Sequence, residues 1–304
     1  MVPGAQPAPS TLHAVRHLLN VLRGFLMGSA DVVPGVSGGT VALVLGIYER
    51  LVHNIRTAAG AAGALLRGRG REAARRIGAV EWSFLLPLLA GIAIAVVSLA
   101  ALLERLLEEQ PQAVAGAFFG LVAGSIPIAW RLVRRWDGPR WGVAAATAGA
   151  AFLLLGLRTG EVTDPALWMF LGSGAIAIVA MILPGISGSF ILLMIGMYEP
   201  VLRAVNERAL AQLGVFALAA AAALAAFSTV LDRLLRSHHD TVMAALIGLM
   251  AGSLRVLWPW PDGTDSADLA RPIDWGPPLV AALIGFAVVT LLGVVAGGGR
   301  GTRD

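Results

Sequence analysis

Cysteine and lysine are both absent from this chain of 304 residues, and only 14% of its residues carry charge. Without a thiol there is no disulfide framework, no thiolate metal site and no cysteine nucleophile. Without lysine, the positive side of the +4 net charge rests on arginine alone. The scarcity of charge also excludes an ordinary water-soluble globule, because 57% of the residues are hydrophobic and the mean hydropathy is +0.76. The arginines stand between apolar runs with no interleaved aromatics, so they read as membrane-flanking charge and not as a nucleic-acid surface. Neither a nucleic-acid partner nor a cofactor is expected.

What is present is a series of apolar runs. Charge-free stretches at Phe84 to Leu103, Ala113 to Trp130, Trp141 to Leu157, Leu213 to Leu231, Thr241 to Leu254 and Gly276 to Gly297 suggest six spans. The shorter ones need interfacial tryptophan to complete them, and Trp130 and Trp258 are read as such belt residues. Pro3, Pro7, Pro9 and the arginine-interrupted run Leu18 to Met27 do not form a cleavable signal peptide, so the first membrane element is expected to be kept. Ser10 to Met27 reads as an amphipathic helix along the cytoplasmic interface.

Two stretches repeat. GSADVVPGVSGGTVALVLGIYER from Gly28 returns 150 residues later as IVAMILPGISGSFILLMIGMYEP, matching Ala30, Pro34, Gly35, Ser37, Gly38, Leu43, Gly46, Tyr48 and Glu49 to their counterparts. Beyond the motif the register continues at an offset of 128. There Leu103-Glu104-Arg105-Leu106-Leu107 matches Leu231-Asp232-Arg233-Leu234-Leu235, and Gly120, Gly124 and Trp130 match Gly248, Gly252 and Trp258. The shift between the offsets reflects an extra basic segment, roughly Arg56 to Gly78, which reads as a mobile loop. The expected units are residues 1–157 and 158–304 of one transmembrane domain.

In each copy an apolar run is broken by Pro34-Gly35 or Pro184-Gly185 and then resumes, as a helix must when an amide is lost and the backbone loosened. Gly24 to Tyr48 is 25 residues long, too short for two crossings, which need about 40. A re-entrant hairpin fits, and the uncharged 33 residues Ala166 to Tyr198 repeat the arrangement. Irregular backbone at that depth has to be buried in protein or line a cavity. Arginine counts in short loops put both termini in the cytoplasm, so one hairpin enters from each face. The expected architecture is therefore all-α, an inverted repeat of about six spans and two hairpins, which is a transporter signature.

After each break, Ser37-Gly38-Gly39-Thr40 and Ser187-Gly188-Ser189 begin a short helix whose first amides lack intrahelical partners and favour an anion. Two such tips meeting near the midplane would make a shared anion site, most simply for phosphate. The competing reading is that the small residues only permit close helix packing. Asp31, an acid in a membrane segment at a cost of about 2.5–3.5 kcal/mol near the centre, points to a proton or ion path or else caps a helix. Glu49 and Glu199 follow the repeated tyrosines, which suit interfacial anchoring; the glutamates gate or pair with arginine. Arg105 and Arg233 belong to a repeated acid–arginine dyad, read as local neutralisation or as substrate contact.

These motifs, ADVVPGVSGGTVALVLGIYERL and ILPGISGSFILLMIGMYEPVL, resemble the PopT-type polyprenyl-phosphate transporter family of bacteria, over about Leu18 to Ala296. The resemblance implies a plasma-membrane flippase that returns undecaprenyl phosphate from the outer to the inner leaflet for reuse in envelope synthesis. It maps the family's motif onto Asp31, Pro34, Gly35, Ser37, Gly38, Gly39 and Thr40 and onto Pro184, Gly185, Ser187, Gly188 and Ser189. Coupling to protons or sodium is expected, because carrying an anion inward against a negative-inside potential costs about 2.3 kcal/mol per charge per 100 mV.

Two rivals come from other classes. A small inorganic anion transporter or channel would use the same amide tips. An intramembrane serine protease would read the G-x-S-G at Ser37 or Ser187 as its nucleophile, but it needs a base facing that serine. No lysine exists, and His13, His17, His53, His238 and His239 all fall at expected interfaces. Enzymatic activity is not expected.

Overall fold

The computed structural model describes residues 9–31, 37–157, 162–261 and 269–298. Among them there are thirteen helices and no strand. The first half runs α1 Pro9–Asp31, α2 Gly38–Val44, α3 Tyr48–Leu66, α4 Gly70–Ala79, α5 Trp82–Glu109, α6 Pro111–Trp130 and α7 Gly138–Leu154. The second runs α8 Leu167–Ile182, α9 Gly188–Met194, α10 Tyr198–Asn206, α11 Leu210–Ser237, α12 His239–Ser253 and α13 Gly276–Gly298. The order of long and short helices repeats, with α4 as the insertion.

Among the described residues four helices are long and apolar enough to cross a membrane, over Trp82–Leu99, Pro111–Trp130, Leu210–Ser237 and Gly276–Val294. The two remaining expected spans are shorter: α7 has 17 residues and α12 has 15. Their neighbours explain how short helices are held. On α12, a β-carbon at Gly248 or Gly252 would overlap the carbonyls of Ala144 and Ala148 on α7, so the two backbones touch. The counterparts Gly120 and Gly124 on α6 press on Ala282 and Phe286 of α13. In the same manner Gly24 of α1 abuts Leu88 of α5, and Gly174 of α8 abuts Phe216 of α11. Where two contacts are seen per pair, the register advances in one direction along both helices, as parallel neighbours require. The small residues that the repeat matched are thus packing seams.

The segment expected as a mobile basic loop is helical instead. Its alanines and arginines continue α3 to Leu66 and form α4, where Ala73 is buried and Arg76 pairs with Glu72 at 2.7 Å. Alanine and arginine are strong helix formers, and that propensity outweighs the scattered glycines.

The core gathers around the first short helix. In α2 every residue but Val41 is buried. Leu43 and Tyr48 pack in one cluster with Phe84, Leu88, Val122, Met243, Leu246 and Met250. Tryptophans form two further groups: Trp130 stacks on Trp136 at 4.1 Å beside Trp141, and Trp258 meets Trp260 at 5.2 Å, next to Trp275.

Candidate functional site

Pro34 and Gly35 lie outside the described residues, and the first break is seen through its rims. Ser37 is fully buried in extended backbone and caps α2, its Oγ accepting from the Gly39 amide at 3.1 Å. The amide before it, of Gly38, donates to Asp31 Oδ1 at 2.6 Å. Asp31 thus reaches back from the end of α1 to the tip of α2. The chain's own carboxylate sits where the helix dipole and an unpartnered amide favour an anion.

The second break docks directly onto this tip. Thr40 Oγ1 accepts from the Gly185 amide at 2.8 Å, Ser37 Oγ donates to Leu183 O at 3.3 Å, and Tyr48 donates its phenolic hydrogen to Ile182 O at 3.0 Å. Gly39 leaves the gap, since a β-carbon there would lie 3.1 Å from Ile182 O. Three side chains of the first motif therefore satisfy the backbone that Pro184 and Gly185 freed from helix. Gly185 itself has φ +88°, and a β-carbon on it would come within 2.8 Å of Met250 Cα, so this position requires glycine twice over.

The two tips are not equivalent. Ser187 also precedes its helix in extended backbone, but its side chain makes no cap bond and instead faces Ser189 Oγ at 2.8 Å. The position matching Asp31 is Met181. Here the structure opens a cavity of about 260 Å³ whose polar lining is Ser187, Gly188, Ser189 and Asp31 and whose apolar wall includes Ala177, Met181 and Phe216. Asp31 is thus shared, bonded to the first tip and facing the second.

The remaining singled-out residues lie apart from this centre. Glu49 is exposed at the start of α3 and meets His239 Nε2 at 2.9 Å. Glu199 is exposed in the first turn of α10. Arg105 pairs with Glu109 at 2.6 Å on the surface of α5. Arg233 is exposed, and its neighbour Asp232 turns to Arg236 at 3.1 Å, to Arg56 and to His53. That cluster ties α3 to α11. A separate pair, Arg50 and Glu81, joins α3 to the start of α5; the Arg50 hydrogen bonds hold the Glu81 carboxyl below the usual glutamate range. Tyr48 departs from the interfacial role expected of it: it is only 2% exposed and works inside the site, whereas Tyr198 is 39% exposed. The repeat alone treats the two tyrosines alike; the side-chain bond to Ile182 O separates them.

Helices apolar enough to cross a membrane, packed around shorter broken ones in the core, define a multi-pass membrane protein. The undecaprenyl phosphate translocase-like family matches residues 27–270, and the chain belongs to that family. It is 39% identical over 248 residues to a polyprenyl-phosphate transporter of Vibrio cholerae serotype O1, covering 81% of this chain and 79% of that one. A polyprenyl-phosphate transporter of Staphylococcus aureus is 31% identical over 292 residues, 90% of this chain and 95% of its own. No solved structure matches.

Proposed function

We propose that this protein transports a polyprenyl phosphate, undecaprenyl phosphate in the first instance, across a bacterial plasma membrane from the outer to the inner leaflet, returning the carrier for reuse. It acts without catalysis, and the phosphate head is seated in the cavity beside Ser187, Gly188 and Ser189. The observation that carries this reading is the docking of the two breaks through Thr40 and Gly185, with Asp31 on the wall of the adjoining cavity. The names of the two relatives and of the family argue for the same substrate.

The architecture behind this is an inverted repeat of residues 1–157 and 158–304, six crossings and two re-entrant hairpins. The seams support it. α1 runs parallel to α5, where Gly24 meets Leu88 and Gly28 meets Ile92, and single-residue links at Gln110 and His238 join α5 to α6 and α11 to α12. With each link taken as a reversal of the chain, the parallel pair α7/α12 leaves α11 pointing against α5, its counterpart in the repeat. Both termini then lie in the cytoplasm, on the face carrying Arg50, Arg56, Arg131 to Arg140 and Arg236.

Asp31 supplies the ion coupling. Its carboxylate holds the Gly38 amide and faces the cavity, so an incoming phosphate meets a negative charge. Binding a proton or a sodium ion there cancels that charge and loosens the bond to Gly38, which lets cation and lipid phosphate load together. The isoprenoid chain stays in lipid. The direct test is reconstitution into liposomes. Labelled polyprenyl phosphate should change leaflet in a manner that responds to pH or sodium, while labelled inorganic phosphate is not taken up. Uptake of inorganic phosphate without lipid movement would overturn the substrate.

A further inference from the structure

Away from the paired breaks, α1, α3 and α5 enclose a cavity of about 350 Å³ lined by Arg16, His17, Asn20, Arg23, Arg50 and Ser83. It shares no residue with the cavity beside Ser187. Two of its cations, Arg23 and Arg50, are held in position. Asn20 is 6% exposed; it donates to Ser83 O and accepts from Arg23 Nη1 at 3.0 Å, which fixes the arginine one turn away. Arg50 is fixed from the other side by Glu81 and by the Phe84 ring, 4.1 Å from its guanidinium. Three guanidiniums and an imidazole therefore converge on one space, and among the described residues its own lining holds no carboxylate.

The rest of the same helix is apolar and open. Val15, Leu18, Leu19 and Leu22 on α1 are 45–69% exposed, and Leu86 and Leu89 of α5 are 55% and 49% exposed. Leu19 lines the cavity as well. A polar, cationic chamber opening beside an apolar strip suits an amphiphile with an anionic head and a hydrocarbon tail, and forked guanidinium donors match phosphate oxygens. A hydrated phosphate fits the volume, since one water occupies about 30 Å³ of liquid. Basic pockets between membrane helices on the cytoplasmic side take lipid head groups in this way.

We infer that this chamber is a second anion site, which binds a terminal phosphate group from the membrane at the level of the inner-leaflet head groups. Its leaflet rests on the proposed orientation of the chain, while the binding itself stands apart from transport.

The test measures binding, not transport, on the full chain in detergent micelles, with fluorescent dioleoyl phosphatidic acid as the lipid probe and inorganic phosphate as the free one. Arg16→Gln with Arg23→Gln should weaken phosphatidic acid binding about tenfold. The exposed pair Arg71→Gln with Arg75→Gln on α4, equal in charge change, should leave it unaltered. Arg16→Lys with Arg23→Lys should recover part of the loss, and the single Arg16→Gln, at an exposed position, guards against misfolding of the double variant. Tighter binding of phosphatidic acid than of inorganic phosphate assigns the site to lipid. Equal binding of both, still lost in Arg16→Gln with Arg23→Gln, assigns it to free phosphate and keeps the chamber. Equal loss in both glutamine pairs, or loss in neither, would overturn the site.

Discussion

Thr40 and Gly185, 145 positions apart, are joined by a 2.8 Å hydrogen bond in which the threonine hydroxyl accepts the glycine amide. Both groups are buried, so the bond is what keeps that amide satisfied where no helix can do so. Thr40→Val keeps the shape and removes the acceptor. It should cost about 1–3 kcal/mol, the penalty for a buried unpaired donor, seen as a lower thermal midpoint in detergent. Thr40→Ser, which retains the oxygen, should lie close to the parent; a valine variant of unchanged midpoint would mean that the breaks do not depend on each other.

Asp31→Asn should remove the dependence of transport on pH or sodium while leaving the fold intact. The amide oxygen can still accept from Gly38, but the charge facing the cavity is gone. Flux measured in liposomes across a pH series and with sodium replaced by choline checks this. Parent-like ion dependence in the variant would move the coupling elsewhere.

The glycine seams permit a matched comparison. A β-carbon at Gly248 or Gly120 would overlap a carbonyl of the facing helix, whereas one at Gly142 meets nothing within 4 Å. Gly248→Ala and Gly120→Ala should each destabilise by about 1–3 kcal/mol through overpacking. Gly142→Ala should be neutral or slightly stabilising, because alanine is the better helix former. Thermal unfolding of the three variants side by side gives the answer.

At the junction of α3 with α5, Arg50 hydrogen bonds hold the Glu81 carboxyl below its ordinary range. A carboxyl lowered on folding adds stability that is fully present above the unfolded value, about 4.3, and is lost as pH falls through the folded value. Glu81→Gln should therefore lower stability in the neutral region and converge with the parent at acid pH, which flattens the acid limb of the stability profile. An identical acid limb in the variant would assign that limb to other carboxylates.

Much of the centre was legible before any coordinate. Pro184-Gly185 interrupts an otherwise uncharged apolar run, and the structure ends α8 at Ile182 and restarts at Gly188, because loss of a proline amide and the freedom of glycine are local effects. Ser37 as a cap was readable for the same reason. What could not be read were contacts made across the fold. Nothing in the spacing of Asp31 and Gly38 says that the carboxylate bends back onto that amide, and nothing in the tyrosine repeat says that Tyr48 is buried while Tyr198 faces out. The basic insertion was misjudged through its glycines, whose cost is outvoted by the alanine and arginine around them. Two of the six expected spans fell short of a full crossing in length because composition reports apolarity, whereas helix ends depend on caps such as Asp137, whose Oδ1 accepts from the Arg140 amide.

The glycine seams carry a mechanical consequence. Helices that touch backbone to backbone behave as stiff two-rod struts, with no layer of side chains between them to shear. Any rocking that turns the central chamber from one leaflet to the other must then slip strut against strut, and the interface offered for slipping is the cluster of hydroxyls and freed peptide groups around Thr40, Tyr48 and Gly185. Such bonds can be traded one for another at small cost, as interlocked methyls cannot.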